Sequence, residues 1–509
     1  MIRRLAVAAL ACSAGATAAE ANHPALFALI VGSNRSVDVE LAPLRYSDDD
    51  AASYQELFRL LGAKTLLLTR PDANTQRLHP QAAAEAREPT RAELEHAIAQ
   101  LATEVAQARQ RGVETAFYFV FAGHGNVNGD EGYITLEDAR LTGRDLADAV
   151  VEPVHADATH LIIDACLSYY LAFGRGPGGQ RRPLEGFSPN LAIGRNQHIG
   201  LLLSTSSARE SHEWEGFQGG VFSHEVRSGL YGAADANGDG TVSYREIAAF
   251  VDRANGAVKN EKFRPDVFAR PPASSDALIA LRPALERRLE IDGAHGGRFT
   301  LEDEQGVRLA DFHSQPGQSV SLLRPMSRGE LYLRQTDEEL EFVIPASPQV
   351  IVLAKLLPQS PRAAVRGGAQ RAFEALFSLP FSQADVDRFR LPDEPWRVST
   401  NDTSPASPLK PLGITALAVG GAAVGAGAFF TATASRMSSI GGHLETQVEV
   451  AAANHVIDNA NRIAVAFYVT GAVLGVAGAA ALVVLVRQHD DAAVEVSVSP
   501  NSLQLRGHF

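Results

Sequence analysis

Beyond residue 24 the chain carries runs of apolar residues too dense to alternate with polar ones. They are LFALIVGSN (Leu26 to Asn34), Thr65 to Thr69, FYFVFAGHG (Phe117 to Gly125), THLIIDACLS (Thr159 to Ser168) and Ile199 to Ser204. A strand that is apolar at nearly every position has both faces covered, the mark of a parallel sheet. Between these runs the period changes to that of helices. LRYSDDDAASYQELFRLLGA predicts a helix entered at Ser47 or Asp48, its acids favouring the positive N-terminus and Gly62 closing it. Thr90 to Glu93 predicts a capping box opening a helix with Leu94, Ile98, Leu101 and Val105 on one face. Another helix is expected from Thr142. Strand and helix in alternation predict an α/β domain over residues 24–285, a mostly parallel sheet with helices on both faces.

From Arg288 the pattern shortens to alternating runs: Arg298 to Glu302, Arg308 to Phe312, Val320 to Leu323, Glu330 to Arg334 and Leu340 to Ile344. These predict a small β-sandwich-like domain over residues 286–356, a binding or spacer module. Residues 357–411, rich in Pro and Ser from Leu391 onward, read as a linker. Leu412 to Ala434 and Ile463 to Val486 lack charge and are long enough to cross a bilayer, which predicts two transmembrane helices and a tail over 487–509. Gly421 with Gly425, and Gly471 with Gly475, would let these helices approach closely. The flanking Lys410, Arg436, Arg462 and Arg487 are evenly spread, so they do not set the orientation.

Residues 1–19 have Arg3 and Arg4, a short apolar core and small residues from Ala16 to Ala19. That is the layout of a secretory signal peptide, and it places the α/β domain on the periplasmic or other extracytoplasmic side. The chain has 509 residues, is 45% hydrophobic and carries a formal net charge of −13. This size fits several folded domains, and the acidic balance argues against nucleic acid as a partner. Of the two cysteines, leader cleavage would remove Cys12 and leave Cys166 alone. A lone thiol outside the cytoplasm has no internal disulfide partner, so chemistry is the better reason to keep it.

His124 and Cys166 each follow a buried-looking strand directly, where sites form in open α/β sheets. An imidazole that takes the proton of a thiol makes it a nucleophile, so the pair predicts a cysteine hydrolase. In chain order, LFALIVGSN, LRYSDDDA, YFVFAGHG, LIIDACLS and STSSARESHEWEGFQGGVFSHEVRSGLYG resemble the caspase-like cysteine peptidases, in their bacterial, metacaspase-like branch. The resemblance spans the α/β domain and none of the rest. It implies Cys166 as nucleophile, His124 as general acid and base, and the backbone N–H groups of Gly125 and Cys166 as oxyanion donors.

Asp164, two residues before the cysteine, matches the branch that cleaves after Arg or Lys, and a carboxylate on a pocket floor favours a cation. Glu213 and Asp50 are candidates for the same pocket. Leu167, Ser168 and Tyr169 stand where that branch carries His-Ser-Gly, which leaves a catalytically weak scaffold or signalling module as the alternative. The Gly-rich basic stretch Phe173 to Phe187 offers Arg181 and Arg182 as processing sites.

A second motif stands apart from these. In DANGDGTVSYRE, Asp235, Asn237, Asp239, Thr241, Ser243 and Glu246 occupy positions 1, 3, 5, 7, 9 and 12 of an EF-hand-type loop, with Gly240 at its turn. Oxygen donors at that spacing predict a Ca2+ site, structural or regulatory. Taken together, the sequence predicts an exported, membrane-anchored cysteine endopeptidase acting on proteins or peptides.

Overall fold

The computed structural model describes residues 23–128, 131–166, 168, 171, 196–204, 213–259, 264–326, 328–361 and 373–391 of one compact unit. It describes 423, 426, 428–436, 454–470, 494–499 and 502–507 of a second. The first unit begins with β1 (Ala25–Ser33), α1 (Ser47–Leu60), β2 (Lys64–Thr69), α2 (Arg91–Gln110) and β3 (Thr115–Gly123). A small antiparallel sheet follows: β4 (Gly125–Asn128), β5 (Glu131–Thr135) and β6 (Arg140–Thr142). Then come β7 (Ala158–Asp164), β8 (Ile199–Ser204), the two-residue strands β9 (Glu213–Trp214) and β10 (Gly219–Gly220), and α3 (Val221–Ser228). β11 (Thr241–Ser243), α4 (Tyr244–Asn255) and β12 (Val267–Arg270) complete this part.

The main sheet has six strands in the order β12-β8-β7-β3-β1-β2. All its pairings are parallel except that of β12 with β8. Successive side chains of a strand point to opposite faces, so each dense apolar run feeds two cores. Ile30, Tyr118, Val120, Ile162 and Leu202 pack on the face covered by α1, α3 and α4. Leu29, Phe117, Phe119, Leu161 and Leu201 pack on the other, under Leu94, Ile98, Leu101 and Val105 of α2. Thr90 caps α2 by accepting the Glu93 amide. The antiparallel edge strand β12 carried no sequence signal. It is only four residues long, too short for a period to show.

Each alternating run beyond residue 288 is a strand. After β13 (Ala277–Ala280), which pairs with β11, come β14 (Arg288–Ile291), β15 (Gly297–Asp303), β16 (Arg308–Ser314), β17 (Val320–Leu323), β18 (Leu331–Gln335), β19 (Leu340–Ile344) and β20 (Val350–Val352). They form a three-stranded sheet, β17-β14-β20, and a four-stranded one, β16-β15-β18-β19. These sheets do not stand off as a spacer. Phe299, Leu301, Phe312 and Leu322 belong to the same continuous core as Tyr54 of α1 and Val226 of α3. Part of the expected linker also folds back. Phe377 and Phe381 are buried against Phe250 of α4, with ring centroids 5.9 and 5.2 Å away, because two aromatic residues so close in sequence can cover a helix face.

The second unit contains helical residues 428–436 and 454–470, with the rings of Phe430 and Phe467 stacked 5.9 Å apart, and a hairpin of β21 (Val494–Ser499) and β22 (Ser502–Gly507). The two expected membrane spans are not met here: among the described residues, no helix is long and apolar enough to cross a membrane. Residues 412–422, 424, 425, 427 and 471–486 of those spans lie outside the described residues, as do residues 1–19. The helix over 454–470 also starts earlier than the apolar run and includes Asp458 and Arg462, because helix propensity does not stop at a change of hydropathy.

Candidate active site

β3 and β7 are neighbours, and their register sets the geometry of the site. Ala122 pairs with Asp164, and two residues further along each chain stand His124 and Cys166, at the carboxyl end of the sheet. Cys166 is buried and carries a thiol. Gly125 is what allows the two chains to close in: a Cβ on it would lie 2.3 Å from the Cys166 carbonyl oxygen. The half-buried His124 ring bonds through Nε2 to the carbonyl of Ala42 at 2.9 Å. A carbonyl only accepts, so Nε2 carries the proton and the neutral ring keeps its lone pair on Nδ1. Burial also pushes the His124 pKa below its usual 6.5, which keeps the ring neutral and basic at pH 7.

The carboxylates gather in one pocket beside the thiol. Asp50, Asp164, Cys166 and Glu213 line it together with Ser47, Gly123, Gly220 and Phe222. Asp164 ends β7 and accepts from the Ser223 amide at 3.0 Å and the Ser223 hydroxyl at 2.7 Å. Asp50 lies in the first turn of α1, accepts the Gly220 amide at 2.7 Å and pairs with the buried Arg227 at 3.1 Å. Glu213 accepts the amides of Arg45 and Tyr46 at 2.9–3.1 Å. Burial raises Asp50 well above the usual carboxylate range, and Asp164 adds to this while Arg227 opposes it. Burial likewise raises Glu213. Gly220 is required here, because a Cβ on it would sit 2.6 Å from an Asp164 oxygen and 3.1 Å from one of Asp50.

Sequence reasoning missed Ser223 and Arg227, although a signal was present. They stand four apart in VFSHEVRSG, so one face of α3 offers both to the pocket acids. The acids at the start of α1 also divide into three roles that helix-end electrostatics alone does not separate. Asp48 accepts from Asn34, the Asp72 amide and Thr75, tying the strand-end loop to the next segment. Asp50 faces the pocket. Asp49 is buried, neither of its oxygens has a hydrogen-bond partner, and burial with the nearby Asp48 raises its pKa to about 8. A carboxyl raised in the folded state stabilises fully below about pH 4, and that contribution is lost as pH rises toward 8. Asp49→Asn lacks this loss, so its melting temperature should gain on the unmodified protein between pH 5 and 8, by on the order of several degrees, then level off. Melts at four pH values check this; a constant gap contradicts it.

The EF-hand-type loop lies apart from the pocket residues, between α3 and α4. Asp235 accepts the amides of Asp239 at 3.1 Å and Gly240 at 2.9 Å, and Asp239 accepts the Thr241 amide at 2.8 Å. Asn237 accepts from the Asp239 amide at 2.8 Å. Glu246 forms a capping box with Ser243 through one oxygen, while its other oxygen is buried without a partner. Gly240 has φ +78°, the left-handed turn that position requires. Burial raises the pKa of Asp235 and Glu246, and repulsion by Asp239 adds to both. These hard oxygen donors and the orphaned Glu246 oxygen suit a calcium ion. Among the described residues, however, no three His, Cys, Asp or Glu side chains converge closely enough to hold a metal.

Arg181 and Arg182, with Leu167 and Tyr169, lie outside the described residues. No protein-family model matches the chain, and no curated protein is similar to it in sequence. Among solved structures, caspase-1 from the insect Spodoptera frugiperda is similar at 12% identity and a TM-score of 0.30, over 49% of this chain and 88% of that one.

Proposed function

We propose that this protein is a cysteine endopeptidase that cleaves after Arg or Lys, in the manner of the caspase-like peptidases its motifs resemble. The observation that supports it best is the meeting of Cys166 with Asp50, Asp164 and Glu213 around one pocket at the ends of adjacent parallel strands. In this reading the guanidinium or ammonium of the substrate enters the pocket and meets Asp164 and Glu213, while Asp50 is shared with Arg227.

His124 takes the thiol proton on Nδ1, held in place by its bond to Ala42. The thiolate attacks the scissile carbonyl carbon, and the backbone N–H groups of Gly125 and Cys166 receive the resulting oxyanion. Collapse breaks the C–N bond, His124 returns its proton to the leaving amine, and a thioester remains. Water, deprotonated by His124, then hydrolyses the thioester and restores the thiol. Fluorogenic peptides ending in Arg, Lys or Asp test the reading: turnover of the first two is expected. A flat trace for all three leaves only a scaffold.

We assign Ca2+ to the 235–246 loop, with Asp235, Asn237, Asp239, the Thr241 carbonyl, Ser243 and Glu246 as its donors. The buried, unpartnered Glu246 oxygen supports this. Bound there, the ion would offset two of the three negative charges of acids that repel one another. Calorimetric titration should show calcium binding to the unmodified protein and none to Asp235→Ala; equal heats discard the site. The leader-like residues 1–19 support export to the extracytoplasmic side, which fractionation and N-terminal sequencing of the purified protein check.

A further inference from the structure

The sheet that follows the α/β domain meets the elements behind the pocket, α3 and the β9–β10 hairpin, through one strand. On β16, Arg308 and Asp311 stand three residues apart and 3.5 Å from each other. The Arg308 guanidinium lies 5.7 Å from the ring centroids of both Trp214 and Phe217. Trp214 is the residue after the pocket acid Glu213, and it pairs with Gly219 across the short β9–β10 hairpin. Phe217, at the tip of that hairpin, stacks on His224 of α3 with centroids 3.9 Å apart and planes 17° from parallel. His224 is fully buried and bonds through Nε2 to Asp311 at 2.8 Å. The Asp311 amide also donates to Ser228 at 3.0 Å, and Thr300 donates to the other Asp311 oxygen at 2.6 Å. The chain of contacts closes on itself: strand, hairpin tip, helix, strand.

The parts held this way are those that define the pocket. The hairpin carries Glu213 and Gly220, whose amide binds Asp50; α3 carries Ser223 and Arg227, which bind Asp164 and Asp50. Neither Arg308 nor Asp311 lines the pocket. A stacked cation over two aromatic rings and a buried charge-assisted bond are both directional contacts, so they fix orientation as well as add cohesion. α1, which carries Asp50, is held from the same side: Arg328 bonds Glu56 of that helix and Asp303 of β15, the latter at 3.0 Å.

We infer that the appended four-stranded sheet is a working support behind the acidic pocket, in which Arg308 and Asp311 are positioning residues that set the affinity for the basic substrate side chain without touching it. This rests on the peptidase reading for its substrate but not for its geometry, and the test separates the two. Trp214 and Trp396 are the two tryptophans of the chain, so in a Trp396→Phe background the emission reports the hairpin alone.

Arg308→Gln and Asp311→Asn are each expected to shift Trp214 emission in the unliganded, folded protein. Each should also raise KM for an Arg-ended peptide about tenfold while kcat stays within about threefold, and Arg308→Lys should recover most of the KM. Alkylation of Cys166 by iodoacetamide should keep its rate in all three variants. A merely structural role lowers the melting temperature and leaves KM alone below it. Unchanged emission in both variants, or unchanged KM in an active protein, overturns the inference. If the unmodified protein turns over no basic peptide, the peptidase reading fails, and the emission shift alone then decides the positioning role.

Discussion

Cys166→Ala is expected to abolish turnover of Arg- and Lys-ended peptides, by roughly 10⁴-fold or more, while the protein stays folded. The side chain lies at the strand end with little exposure, and a methyl group in its place removes the nucleophile without adding volume. Cys166→Ser should be nearly as inactive, because a hydroxyl gives up its proton to a lone imidazole far less readily than a thiol. His124→Ala should slow alkylation of Cys166 at pH 7, since the base that ionises the thiol is then gone. The pH profile has a defined sign. Only neutral His124 can accept the proton, and burial lowers its pKa, so the acid limb of kcat/KM should fall below pH 6.5. Steady-state kinetics of the three variants against intact thermal melts settle the matter. Residual turnover in Cys166→Ala would falsify the assignment of the nucleophile.

Asp164→Asn is the second large effect. A charge-assisted contact to a guanidinium contributes about 2 kcal/mol, so neutralising Asp164 should lower kcat/KM for Arg-ended peptides by roughly 30-fold. The amide can still accept from Ser223, which keeps the floor of the pocket in place. Ser223→Ala is the control: it removes the 2.7 Å hydroxyl contact but leaves the charge, and should cost only a few-fold. Glu213→Gln should act in the same direction as Asp164→Asn. Asp50→Asn differs, because it strands the buried Arg227 without a counter-charge and should lower stability more than selectivity. If Asp164→Asn and Glu213→Gln both leave the preference for Arg over Asp peptides unchanged, the pocket does not read charge.

Much of this was legible in the sequence because it depends on local pattern. Dense, aromatic and β-branched runs such as Phe117 to Phe121 read as strands buried on both faces, and their ends then place His124 and Cys166 at the same carboxyl end of the sheet. Asp164 as a pocket acid, two residues from the thiol, came from the resemblance. Asp50 and Glu213 followed from it too, since nothing local says that a helix start and a two-residue strand meet. Asp311 was not legible at all. Its role exists only because α3 and β16, more than eighty residues apart at Ser228 and Asp311, pack on each other through the bond between those two residues. The independence of the later sheets was misjudged for a related reason. A change of period marks a change of element type, but it does not say which core the new elements share.

The most direct test of the central claim is covalent labelling of Cys166 with a matched set of peptidyl electrophiles ending in Arg, Lys or Asp, read by mass spectrometry of the intact chain. Rapid single-site modification by the arginyl and lysyl reagents with little by the aspartyl one is the predicted result. Preference for the aspartyl reagent, or a thiol that none of the three modifies, contradicts it.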